Sequence, residues 1–236
     1  MPTINATNVA TVVSNGLSFN STWMARRDAT DGVTVDLSSD GTDMGNVIFT
    51  ARGITFFLLY RVFAAFDTSG VSVAPSDATL KIYGRANLGS HTNADFFIVK
   101  GTQGSGNPAT ADFDAIDGWN VDDTAGGNSA NGSGHGDQES NVTKYSAEWV
   151  NGTTAWDESD YNEITLTSAA RDDMASGSAF YICILESTHD LNDSNASGYY
   201  NNGMYFDDDA GKEMQIDYTE GVAAATDNAV FFGTNF

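Results

Sequence analysis

The sequence predicts an all-β fold, a single jelly-roll-type antiparallel β-sandwich with long loops and at most one or two short helices. Three observations predict it. Short apolar or alternating runs recur along the 236 residues, punctuated by Gly, Asn, Asp and Ser, which is the spacing of sandwich strands. Hydrophobic residues make up 41% of the chain, enough for a full core in one domain. Helical patterning is confined to one stretch of a turn or two.

The candidate strands, in order, are residues 8–14, 33–37, 46–49, 55–66, 78–83, 95–100, 143–149, 163–166, 180–185, 204–206 and 213–218. The run 55–66 is apolar on both faces except at Arg61, which predicts an internal strand with both sides covered. The one helix candidate is 168–175, which opens without a capping box. Loops are expected at 67–77, at the Gly/Ser/Asn-rich stretch 122–137 and at 190–203. The sandwich is expected to occupy residues 1–219. Residues 220–236 form a distinct tail whose aromatic end, with Phe231, Phe232 and Phe236, suits packing on its own domain or insertion into a neighbouring subunit or capsid.

Charge narrows the partners. Ten Lys and Arg face 32 Asp and Glu, a formal net charge of −22. Such a field repels phosphates and anionic membranes, so no nucleic acid and no membrane is expected as a partner. No apolar stretch reaches the ~18 residues of a spanning helix. The N-terminal residues show no secretory leader pattern. The single cysteine, Cys183, lies in an apolar run and reads as a buried, inert thiol. Asn-x-Ser/Thr triplets at Asn5, Asn141 and Asn195 arise by chance in so polar a composition.

Catalytic patterns are not evident. His91, His135 and His189 sit apart in polar contexts, no zinc spacing or nucleophile elbow occurs, and carboxylate pairs are too numerous to be informative. No enzyme activity and no required cofactor are therefore expected. Calcium is the cation such a chain would take, because hard cations favour oxygen-rich loops. Asp36-x-Ser38-x-Asp40-Gly41 falls short of a calcium loop at its twelfth position, Val47, and reads as a turn. The better candidate combines Asp190 and Asn192 with Asp207, Asp208 and Asp209, against the alternative of solvated surface loops. Trp119, Trp156, Tyr199 and Tyr200 in loop contexts are candidates for stacking on sugar rings, against the alternative that they anchor their loops to the core.

One ordered set of motifs goes further. Arg61, Phe63, Phe66 and Asp67 lie in Tyr60-Arg-Val-Phe-Ala-Ala-Phe-Asp-Thr-Ser69, followed by Pro75 and Ala78-Thr-Leu-Lys-Ile-Tyr83. Downstream come Asp112-Phe-Asp114 with Trp119, Glu148-Trp149 with Tyr161-Asn162, the run 178–190 ending at Asp190, and Glu213-Met-Gln-Ile-Asp-Tyr-Thr219. This order, covering about residues 23–219, resembles the "R-x-F-x-x-F-D-T-S" signature of disaggregatase-related, carbohydrate-binding-like jelly-roll domains carried by many phage virion proteins. The chain departs from it where Lys212-Glu213 replaces the usual Pro before the closing strand. The resemblance implies a structural virion protein of a bacteriophage, a head decoration or cement protein on the virion surface, made in the host cytoplasm without a signal peptide. It implies as partners the chain itself in a symmetric oligomer, with a trimer as first expectation, and a major capsid or other virion protein. The alternative is a carbohydrate-binding module or tail-fibre or adhesin component that binds host glycans. On physical grounds the signature is structural: an Arg inside an apolar strand needs a carboxylate, and Asp67 or Asp190 could supply it.

Overall fold

The computed structural model describes residues 1–17, 23–37, 42–86, 94–104, 106–119, 138–192 and 200–223. Among them are ten strands: β1 (Thr3–Leu17), β2 (Thr34–Asp36), β3 (Thr42–Ala51), β4 (Ile54–Asp67), β5 (Asp77–Gly84), β6 (Phe96–Lys100), β7 (Tyr161–Thr165), β8 (Ala179–Glu186), β9 (Tyr200–Asp207) and β10 (Gln215–Thr219). The two α-helices are short, α1 (Trp23–Arg27) and α2 (Ser168–Met174). The fold is an all-β sandwich, as its alternating runs require.

All the strand pairs are antiparallel, and six of them close on themselves. β1 pairs β10, which pairs β5, then β9, β3 and β4, and β4 returns to β1 along eleven residue pairs. Outside this ring β8 adds to β4 and β6 to β8, β7 adds to β5, and β2 adds to β1. β3 and β4 are joined by the two-residue turn Arg52-Gly53, with φ of 53° and 77°. Two left-handed residues in a row make the tight hairpin turn that matches strand twist, and Gly53 carries its half without strain. Where β3 crosses β9, Gly45 faces Gly203, and a Cβ at Gly45 would lie 2.2 Å from the Asn202 carbonyl oxygen. The two strands approach so closely there that only glycine fits.

β4 divides the interior into two cores. Its Val62, Ala64 and Phe66 join Phe180, Ile182 and Ile184 of β8, Leu80 and Ile82 of β5, and Ile216 of β10 in the first core. Its Leu59 and Phe63 point the other way, into a second core with Cys183 and Leu185 of β8 and Phe97 and Val99 of β6. Phe113, Ile116, Val142, Leu191 and Trp23 cover this second core from loops and α1. The expected two-faced strand is therefore present: residues 61–66 are buried on both faces, while 54–58 and 60 are only half-buried.

Three expectations change. The stretch 143–149 is not a strand. It makes isolated bridges to β6, at Val99–Lys144 and Phe96–Trp149, and to the end of β7, at Ser146–Leu166, so it ties the two layers at their edge. Residues 190 and 191 belong to a π-helical turn, Ser187–Leu191, and Tyr200 already begins β9, so the loop expected at 190–203 is shorter. The cap of α2 is Thr167, one residue before the predicted start, whose side chain accepts from the Ala170 N–H. The expected loop 122–137 and the aromatic tail end with Phe231, Phe232 and Phe236 lie outside the described residues.

Candidate functional site

Four residues of the ordered motifs, Arg61, Phe113, Trp119 and Asp190, meet in one knot at the second core, while Phe66 lies in the first core. Arg61 projects from the middle of β4 and is fully buried. Its Nε and Nη2 donate to the two carboxylate oxygens of Asp190 at 2.9 and 2.6 Å, a bidentate pair. Nη1 donates to the Phe113 carbonyl at 2.8 Å and Nη2 also to the Arg27 carbonyl at 3.1 Å. The guanidinium carbon lies 4.1 Å from the centroid of the Phe113 ring and 4.2 Å from that of Trp119. Burial opposes the Arg61 charge, but Asp190 outweighs it and holds the group above its ordinary pKa. Of the two carboxylates predicted as its partner, Asp190 is the one. Asp67 instead caps its strand end, where its Oδ1 accepts the Ser69 N–H at 3.0 Å, and hydrogen bonds from the Ser69 side chain and backbone lower its pKa.

The knot extends through residues with no sequence signal. Arg27, at the end of α1, is also fully buried. Its Nε donates to the Asp190 carbonyl at 2.5 Å, its Nη1 to Asp28 at 2.8 Å, and its centre lies 5.1 Å from the Trp119 ring. Glu186, 1% exposed, caps the π-helical turn that carries Asp190. Its Oε2 accepts from the backbone N–H groups of His189 and Asp190, at 2.6 and 3.0 Å, and from Asn46 Nδ2 at 2.6 Å. Its Oε1 accepts from Asn202 Nδ2 at 3.1 Å. Burial pushes the Glu186 carboxyl up, against the pull of His189 and these donors. Cys183, opposite Phe63 in the β4–β8 pairing, is buried, and burial holds its thiol well above the usual range. Asn162, in the expected Tyr-Asn pair, is also structural: it exchanges hydrogen bonds with the Asp157 backbone and so pins the loop before β7.

The residues of the expected cation site have protein partners of their own. Both Asp190 oxygens accept from Arg61. Asp207 accepts from Lys212 at 2.5 Å and from the Asp209 N–H at 3.2 Å, while Asp208 accepts from the Met214 N–H. Lys212 keeps the Asp207 pKa low despite burial, whereas burial beside Glu213, Asp207 and Asp209 raises that of Asp208. The Asn192 backbone N–H closes the π-helical turn on Ser187. Among the described residues, no group of three or more His, Cys, Asp or Glu side chains is placed to hold a metal.

The expected aromatic platform divides in the same way. Trp156 is buried and meets Trp149 and Phe96 edge to face, with centroids 5.7 and 6.0 Å apart, so it anchors its loop. Trp119 is half-buried and lies against both arginines. Tyr199 and the side chain of Tyr200 lie outside the described residues. A different aromatic and polar constellation lines a cleft of about 150 Å³ between α2 and the β6–β8 edge: Lys100, Tyr145, Asp173, Ser176 and Tyr181. There Asp173 receives Lys100 at 2.9 Å and the Tyr145 hydroxyl.

No protein-family model matches the chain, and no curated protein matches it either.

Proposed function

We propose that this chain is a non-catalytic structural protein of a bacteriophage particle, a head decoration or cement protein exposed on its surface and assembled as a symmetric oligomer. The observation that carries the reading is the knot. Arg61 and Asp190 stand 129 positions apart, yet they form one buried pair against Phe113 and the half-buried Trp119. These are among the positions on which the resemblance to phage virion proteins rests. The chemistry-bearing groups of the motif are spent on architecture, which leaves function to the surface. That surface is strongly acidic, which suits solubility at the high local concentration of an assembling particle.

Immunogold labelling of particles from the source lysate tests this reading. Regular labelling over heads is the expected result. Labelling at tails moves the assignment to a fibre or adhesin, and particles that carry no label overturn it. A second reading, glycan binding, is favoured by the cleft at Lys100, Asp173 and Tyr181, which pairs charged groups with an aromatic ring. Shifts in its resonances on titration with monosaccharides would support that reading.

A further inference from the structure

The acids are unevenly spread. Residues 1–27 and 44–66 contain none of the 32 acidic residues, although an even spread would place about seven there. The same stretches hold Arg26, Arg27, Arg52 and Arg61, four of the ten basic residues. They are separate in sequence but adjacent in space, because they form β1, most of β3 and β4, which pair side by side. The sheet on β5, β7 and β10 differs: there Lys81 lies between Glu163 at 3.7 Å and Asp217 at 3.3 Å.

The acid-free zone carries an apolar face that outruns the core. On β4 the even-numbered side chains enter the first core at Val62, Ala64 and Phe66. The same face continues toward the hairpin as Tyr60, Leu58, Phe56 and Ile54, all half-buried and in neither core. β3 lays Val47 beside Leu58 and Phe49 beside Phe56. The Phe49 and Phe56 rings stack at 4.6 Å with planes 2° apart. A strand rises ~3.3 Å per residue, so the overhang from Tyr60 to Ile54 extends this face by about 20 Å.

We infer that this β3–β4 overhang is the surface through which copies of the chain associate. The inference rests on the oligomeric part of the proposed function and gives it a location. The charge pattern selects the occupant. Two copies, each at −22, repel one another wherever carboxylates meet. The hairpin face with its β1 neighbour is where a second copy can approach without burying like charges, and its half-exposed aromatic rows supply apolar area to bury. A partner drawn by ion pairing would instead favour the acidic remainder of the surface.

Sedimentation velocity of the full chain tests the inference. The wild type is expected to self-associate, and more tightly as NaCl rises from about 0.05 to about 0.5 M, because salt screens the repulsion and leaves apolar burial. Phe56→Asp is expected to weaken association about 30-fold or more, the effect of placing a charge in the centre of an apolar interface. Thr165→Asp, on the exposed face of β7, is expected to leave it unchanged. Hydroxyl-radical footprinting of the wild type gives a reading independent of any folding defect in a variant: Phe49 and Phe56 should lose reactivity as concentration rises through the association range. A wild type that stays monomeric at every concentration and salt overturns both the inference and the oligomeric reading, while particle labelling separately judges the virion assignment. An oligomer that neither responds to Phe56→Asp nor protects Phe49 and Phe56 overturns the inference alone.

Discussion

The two faces of β4 solve the burial problem in opposite ways. The first core is an apolar layer contributed mainly by strands, in which Phe66 and Phe180 meet at 6.2 Å. The second core is closed largely by loops and holds Arg61, Arg27, Asp190 and Glu186 among its apolar residues. Strands register one another through backbone ladders, so an apolar surface is enough to hold them. Loops have no ladder, and the arginines supply one: a single guanidinium fixes the 113 carbonyl, the 27 carbonyl and the 190 carboxylate in place. Directional bonds thus do for the loop-built core what strand pairing does for the other.

Breaking the knot should produce the largest effect. Asp190→Ala leaves a buried guanidinium without its counter-charge and is expected to cost about 3–5 kcal/mol in urea unfolding. A cost below about 1 kcal/mol would mean that the pair is not what organises the second core. Trp119→Ala removes the ring lying against both arginines and is expected to cost about 2 kcal/mol, read from the same curves. In the first core the response should follow volume alone. Ile182→Val is expected to cost about 0.5–1.5 kcal/mol, with backbone exchange in the loops around 113 and 190 unaltered.

The smallest effect sharpens the comparison through pH. Glu186 has a raised carboxyl pKa, so the folded state holds its proton more tightly than the unfolded state does. Its contribution is present at low pH and is lost as pH rises from the ordinary value of 4.5 through the folded value. Asp173 and Asp207 have lowered values, so their contributions are present above the ordinary aspartate value and are lost as pH falls through the folded ones. Glu186→Gln is therefore expected to flatten the decline in stability just above pH 4.5 and to leave the acid limb unchanged. Unfolding midpoints across pH would show it, and an unaltered slope would assign the decline to another group.

How much of this was legible in the sequence depends on the kind of signal. Strands announce themselves by period, so β4 was readable as internal and its lone charge as needing a carboxylate. That Asp190 would be chosen over Asp67 was not readable, since both follow apolar runs. Arg27 gave no sign because it stands beside Arg26 in a short helix with no periodicity. Glu186 ends an apolar strand, where a carboxylate is usually solvated. Its burial comes from Asn46 and Asn202, which lie opposite each other on β3 and β9 in a register that no local pattern encodes. Residues 143–149 have strand composition, but they run along the sheet edge and touch it only at single bridges, so they never form a ladder.

The closed ring of strands has a consequence for how the chain reaches its fold. β10 completes it by pairing β1, joining Thr3 to Asp217 across 214 positions. Of the ring strands β1 is made first, yet the ring stays open until residue 219 has been made. Until then β1 and β5 lack the strand that belongs between them, and unpaired edges of that kind invite other chains. With so many contacts deferred to the last strand, folding should be slow, on the order of milliseconds to seconds. The steady repulsion between highly charged nascent copies would hold them apart through that interval.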